Sequence, residues 1–202
     1  MNIVEYKEKV QQPLRRATLC FLVRDDEVLL ALKKRGFGKG RWNGVGGKSN
    51  PNENIEETAI RETQEEIGVI PKDIEKRAIL SFYFPYNPEW NQQVIVYFST
   101  NWNGIPKETD EMKPKWYKKD ELPFDSMWPD DKYWLPQVLA GSRLKADFLF
   151  GIEDTLLEFN VMELDKNQDW WLTLPRLNSL NFKSIPQGLA LKNLFLNKDW
   201  IN

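Results

Sequence analysis

Two apolar runs, residues 17–23 and 28–32, flank the polar quartet Arg24-Asp25-Asp26-Glu27, the spacing of two strands joined by a tight turn. A basic, glycine-rich stretch from Lys33 to Lys48 follows and reads as a long loop. Over residues 51–68 the period changes. Ile55, Ala59, Thr63 and Ile67 recur at every fourth position, which predicts a helix with Asn52 or Asn54 as N-cap and Gly68 as its stop. Further strands are predicted at 79–84, 94–99 and 115–117, a helical stretch after Asp130, and a last strand pair at 148–150 and 156–162. Strands and helices interleave, so the fold class is α/β with a mixed sheet. Residues 166–202 differ in texture, with Trp170-Trp171, Pro175, Pro186 and a short amphipathic stretch from Leu189 to Leu196. That extension is expected to pack back on the domain, with docking on another subunit as the alternative.

Composition narrows the chemistry. A chain of 202 residues suffices for one domain with a substantial core and something extra. With a net charge of −2, a global electrostatic grip on a nucleic-acid polymer is not expected. There is no histidine, which removes the commonest transition-metal ligand and the commonest general base. Metal or base chemistry must then rest on carboxylates. The single cysteine, Cys20, lies inside an apolar run and reads as a small buried hydrophobe. The first residues lack the apolar segment of a secretory signal, and no stretch approaches the ~20 apolar residues that span a bilayer. A soluble protein of the cytosol, with no membrane partner, is the expectation.

Acidic residues concentrate on the predicted helix. Between Glu53 and Glu66 stand six glutamates (53, 56, 57, 62, 65 and 66) against one cation, Arg61. At about 100° per residue, Glu62, Glu65 and Glu66 fall within an arc of about 100° and repel one another unless something cationic binds. A hard divalent ion that prefers oxygen ligands suits them. From the clustering alone, a metal site and a merely acidic helix face are equally good accounts.

The spacing adds more. Gly47, five residues, Glu53, seven residues, then Arg61-Glu62-Thr63-Gln64-Glu65-Glu66-Ile67-Gly68-Val69 resembles the Nudix signature at every fixed position. Thr63, where a bulky apolar residue belongs, is the one departure, and it bears on packing rather than chemistry. The resemblance implies the Nudix fold, a mixed β-sheet sandwiched between α-helices, here with an extra C-terminal tail. It also implies hydrolysis of a nucleoside diphosphate linked to another group, with Mg²⁺ as cofactor or Mn²⁺ in its place. By position, Glu62, Glu65 and Glu66 would bind metal and one of them would serve as base, while Arg61 pairs with Glu53. The Gly46 carbonyl and Glu111 are further ligand candidates, although Glu111 by itself reads as a surface carboxylate.

Polyphosphate hydrolysis builds negative charge, which cations offset. Lys33, Lys34, Arg35, Lys39, Arg41 and Lys48 supply six cations with no acid between 33 and 48. With Gly46 and Gly47 this stretch is expected to cradle a triphosphate, Lys33 and Lys48 being the preferred contacts. Most of the other side chains would simply be solvated.

Outside the box, Lys33-Lys34-Arg35-Gly36-Phe37-Gly38, Gly40-Arg41-Trp42-Asn43-Gly44 and Met127-Trp128-Pro129-Asp130-Asp131 resemble the animal-type MutT branch of that family. The similarity runs over residues 16–165, which sets an N-terminal arm at 1–15, a catalytic domain at 16–165 and an extension at 166–202. It implies that Asn43, Trp128, Asp130 and Asp131 hold an oxidised purine in a pocket that Thr18, Phe37, Phe82 and Phe84 help to line. Two adjacent carboxylates in a semi-buried pocket do not both ionise cheaply, so the pair can donate as well as accept. Such a pair suits both 8-oxoguanine and 2-hydroxyadenine. The plainer reading of Pro129-Asp130-Asp131 is a helix start.

The expected activity is hydrolysis of 8-oxo-dGTP and 2-hydroxy-dATP to monophosphate and diphosphate, which sanitises the nucleotide pool and limits DNA damage. The alternatives are a Nudix hydrolase of a dinucleoside polyphosphate, a nucleotide sugar or O6-alkylated dGTP, and a non-catalytic nucleotide-binding module. A monomeric core is expected, with a tail-mediated dimer as the other possibility.

Overall fold

The computed structural model describes residues 2–10 and 13–165, so the expectations for residues 166–202, including Leu189 to Leu196, lie outside the described residues. The arm contains a helix, α1 (Ile3–Lys9), closed by a capping box in which Asn2 and Glu5 exchange side-chain and backbone bonds. Seven residues are too few to hold a helix in water, and α1 is held instead by burying Ile3 and Tyr6.

Strand β1 (Arg15–Arg24) and strand β2 (Glu27–Lys33) pair only at Val23–Val28 and Arg24–Glu27. The expected hairpin is thus confined to its tip. The short β3 (Trp42–Asn43) pairs with β2, and helix α2 (Ile55–Ile67) follows. It starts later than position 51, because Asn52 takes a left-handed φ of 65° and Asn54 caps by accepting from Glu56 N at 3.0 Å. Gly68, at φ 74°, ends it. Glu53 therefore belongs to the entering turn, not to the helix.

Next come β4 (Ile70–Lys72), β5 (Glu75–Tyr83), β6 (Gln92–Ser99), β7 (Asn101–Asn103), β8 (Met112–Lys118), α3 (Asp131–Leu139), β9 (Leu144–Phe150) and β10 (Leu156–Glu163). The main sheet runs β10-β9-β5-β6-β1-β2-β3, with β8 also on β2, while β4 and β7 form a separate pair. β1 runs parallel to β6 and β5 parallel to β9, and the remaining pairs are antiparallel.

Alternation along β6 shows the layering. Val94, Val96 and Phe98 join the core under Trp134, Leu135 and Val138 of α3, whereas Ile95 and Tyr97 meet Ile55 and Ala59 of α2. The mixed sheet thus lies between helices, the α/β arrangement expected. α1 shares the α2 face, where Tyr83 and Leu149 cover Ile3 and Tyr6. Thr63 is fully buried and satisfies its hydroxyl by donating to Ala59 O at 2.7 Å, which is how a polar residue fits an apolar position. Cys20 is buried too, and burial pushes its thiol up to about 12. Among the described residues no helix is long and apolar enough to cross a membrane.

Candidate active site

Because β1 and β2 part after two residue pairs, β1 has backbone groups to spare, and the loop before α2 takes them. Cys20 N donates to Val45 O, Val45 N to Cys20 O, and Thr18 N to Gly47 O at 2.8 Å. This close approach requires glycine at position 46, where a Cβ would overlap the Thr18 carbonyl, while a Cβ on Gly47 would push the Glu62 carboxylate aside.

Arg61 ties the loop to α2. Its guanidinium grips both oxygens of Glu53 (2.7 and 3.0 Å), reaches Glu62 at 2.7 Å and Glu65 at 3.1 Å, and donates to Lys48 O. Arg61 foremost, then the Asn50 amide, holds the Glu53 carboxyl at about 2. Glu66 is only 4% exposed and accepts from Lys33 Nζ at 2.8 Å and from Gly46 N at 3.1 Å. Burial raises its pKa, and the Lys33 contact opposes the rise. Lys33 also donates to Glu111 Oε1 at 2.8 Å, and Arg35 reaches the other Glu111 oxygen. Glu111 arrives from the loop before β8, and its pairing with Lys33 lowers its pKa.

The repulsion expected on α2 is therefore answered from within the chain, by Arg61 and by Lys33 from another element. The cations of residues 33–48 are likewise not a row facing one phosphate. Lys34 bonds Glu108 and Thr109 O, and Arg41 bonds Met127 O and Asp154. The donors near Lys33 are all oxygen, a set that suits a hard divalent ion. Among the described residues, however, no three acidic, histidine or cysteine side chains converge on one point. Lys33 Nζ, 2.8 Å from both Glu66 and Glu111, marks where this group holds positive charge.

These groups line a cleft of about 500 Å³ that also reaches α3. Lys33, Gly46, Gly47, Lys48, Glu62, Glu66 and Glu111 line it, together with Thr18, Phe37, Asn43, Phe82, Phe84, Trp128, Asp130 and Asp131. Glu53, Arg61 and Glu65 do not, and the Glu65 side chain is 61% exposed.

Asp130 and Asp131 are each 2% exposed. Asp130 Oδ2 accepts from Trp134 Nε1 at 3.1 Å, and Asp131 Oδ2 accepts from Trp128 N at 3.0 Å. Asp130 stands at the N-cap of α3 yet makes no side-chain cap, so a helix start explains only the Asp131 bond. Burial first, then mutual repulsion in the case of Asp131, raises both carboxyls, Asp130 to about 7. Asp130 Oδ1 and Thr18 Oγ1 are buried with no hydrogen-bond partner among the described residues. Asn43 Oδ1 accepts from Gly44 N at 2.7 Å.

The Trp128 ring stacks on Phe37 at 5.0 Å and lies 4.5 Å from the Arg41 guanidinium. Arg41 is thus a support for Trp128, a role that its place in a basic loop does not reveal. Gln92 and Phe150 also line the cleft, and no sequence signal points to them, because only the sheet order brings β6 and β9 there.

A family profile described as NUDIX domain matches residues 13–138. The "Oxidized purine nucleoside triphosphate hydrolase" of Mus musculus is 40% identical over 151 residues, 75% of this chain and 96% of that one. Its namesake from Danio rerio is 39% identical over 148 residues, 73% of this chain and 94% of that one. The crystal structure of a MutT protein from Bacillus halodurans superposes with a TM-score of 0.66 at 32% identity, covering 73% of this chain and 97% of that one.

Proposed function

The chain belongs to the Nudix family, and from that premise we propose that it hydrolyses oxidised purine nucleoside triphosphates, 8-oxo-dGTP and 2-hydroxy-dATP, to the monophosphate and diphosphate. One observation carries the choice of base. A buried pair of carboxyls, one oxygen of it without a partner among the described residues, faces a cleft whose wall includes a tryptophan. A buried polar atom without a partner costs about 1–3 kcal/mol, and a ligand group that bonds it recovers that cost. With its pKa raised, the pair holds a proton near neutrality, so it donates to a ring nitrogen or carbonyl and accepts from an amino group. Trp128 supplies the stacking face, which a purine reaches by displacing the exposed Phe37 ring that stacks on it, with Asn43 and Thr18 as further polar contacts.

Glu62, Glu66, Glu111 and the Gly46 carbonyl offer oxygen donors to a divalent ion, with Glu65 one turn away. When bound, Mg²⁺, or Mn²⁺ in its place, neutralises phosphate charge and makes the attacking water more acidic. Lys33 and Lys48 meet the phosphates, and Gly46 and Gly47 let the phosphate chain approach the backbone. Arg61, clamped on Glu53, keeps that loop against α2 so that Glu62 stays in the cleft wall. One of the cleft glutamates takes the proton from water. The domain from 16 to 165 acts as a monomer on the cytosolic nucleotide pool.

The test is a panel of 8-oxo-dGTP, 2-hydroxy-dATP, dGTP, a dinucleoside polyphosphate and ADP-ribose, with products resolved by chromatography. Preferential conversion of the oxidised purines to monophosphate is expected. Preference for a dinucleoside polyphosphate or ADP-ribose would move the substrate elsewhere in the family, and no turnover at all would leave a binding module.

A further inference from the structure

We propose that the N-terminal helix positions the aromatic wall of the base pocket, acting through Tyr6 and Asn91 on Phe84; this rests on the reading that the cleft receives a purine. Phe84 follows the last residue of β5, so its amide and carbonyl lie past the end of the β5 ladders. Two side chains bond them, and the Asn87 amide shares the carbonyl, donating to it at 3.1 Å. Phe84 N donates to Asn91 Oδ1 at 2.7 Å, Asn91 Nδ2 donates to Tyr6 Oη at 3.2 Å, and Tyr6 Oη donates to Phe84 O at 3.3 Å. The three residues form a closed ring, in which each hydrogen bond orients the next.

Both ends of this ring are anchored. Tyr6 is 7% exposed and packs edge-on against Tyr83 at 6.2 Å. Its helix is tied to the sheet by Ile3 N on Glu158 Oε2 and by Lys7 on Asp147, each at 2.8 Å. Tyr83 and Phe84 point to opposite faces of the sheet, the first toward α1 and the second into the cleft wall. There the Phe84 ring meets Phe150 at 4.9 Å, Trp90 at 5.8 Å and Phe37 at 6.2 Å. Asn91 lies between Trp90, which packs on Phe37 at 5.1 Å, and the cleft residue Gln92. A shift of α1 therefore reaches the pocket from behind, although no α1 residue lines it. Tyr6 is a positioning residue, and it precedes the segment shared with the family.

Tyr6→Phe keeps the buried ring and removes only the hydroxyl. It is expected to raise KM for 8-oxo-dGTP about 3–10-fold, the worth of one or two neutral hydrogen bonds, with kcat within about twofold. The kcat/KM ratio of 8-oxo-dGTP to dGTP should fall, since a looser wall discriminates less. Asn91→Ala should act in the same direction, and the double variant should be no worse than the stronger single one, because both open the same ring. Binding is read separately, from the quenching of tryptophan fluorescence on titration with 8-oxo-dGMP without added metal. A Tyr6→Phe protein whose melting temperature drops while KM, ratio and quenching stay at wild-type values would overturn the inference and leave α1 a purely structural element. If the wild type fails to turn over purine nucleotides, the proposed function falls, while weaker 8-oxo-dGMP binding by Tyr6→Phe still supports the present inference. Absence of both turnover and that binding in the wild type would end both.

Discussion

Replacing Asp130 by Asn should stabilise the protein progressively as pH rises. The side chain is buried, and its carboxyl is raised from 3.8 to about 7, chiefly by burial. In the unfolded chain the group ionises near its ordinary value, so between about pH 4 and pH 7 the folded state binds the extra proton. Stability from this group is therefore complete below about pH 4 and is lost as pH rises through 7. A displacement of about three pH units at about 1.4 kcal/mol each sets a ceiling of about 4 kcal/mol above pH 7. Asn has nothing to titrate and keeps an oxygen for Trp134 Nε1, so the variant escapes this loss. Urea denaturation of both proteins at pH 5 and pH 8 measures it. The gap between them should widen by about 2–3 kcal/mol over that span, which for a slope of about 2 kcal/mol per molar is a shift of roughly 1 M in relative midpoint. Midpoints that move in parallel would show that Asp130 titrates as an ordinary carboxyl, and the donor-and-acceptor account of base recognition would lose its physical ground.

Glu66→Gln should cut turnover by about 100-fold or more in a Mg²⁺-dependent steady-state assay, because it removes an oxygen charge from the donor group. Its fold should persist, since Gln can still accept from Gly46 N, and circular dichroism checks this. Trp128→Ala should weaken binding of 8-oxo-dGMP about 5–150-fold, the equivalent of about 1–3 kcal/mol of stacking, as read by calorimetric titration. A change under twofold would mean that Trp128 is only a lining residue.

Most strands of the main sheet and α2 were legible in the sequence because their signals are local, whereas the two- and three-residue strands β3, β4 and β7 and the order of the sheet carry no such signal. A four-residue apolar period, an Asn cap and a glycine stop delimit α2 with no outside help, apart from its first turn. There Asn52 adopts a left-handed backbone that residue type alone does not dictate. The candidate site was legible as a set of residues, since the motif fixes which side chains share one helix and loop. Its electrostatics were not. Lys33 meets Glu66 and Glu111 only because β2, α2 and the loop before β8 converge, and Arg41 turns to Trp128 and Asp154 through contacts more than 80 positions away in the chain. Helix α1 leaves no clear signal in the sequence for the same reason, as its seven residues are stabilised by Tyr83 and Leu149 rather than by their own propensity.

Selection of an oxidised purine by the buried Asp130–Asp131 pair is read from the kcat/KM values of 8-oxo-dGTP and dGTP measured side by side in Mg²⁺. The value for the oxidised nucleotide should be at least about tenfold higher, the effect of roughly 1.4 kcal/mol from one well-placed hydrogen bond. Equal values for the two nucleotides would contradict it.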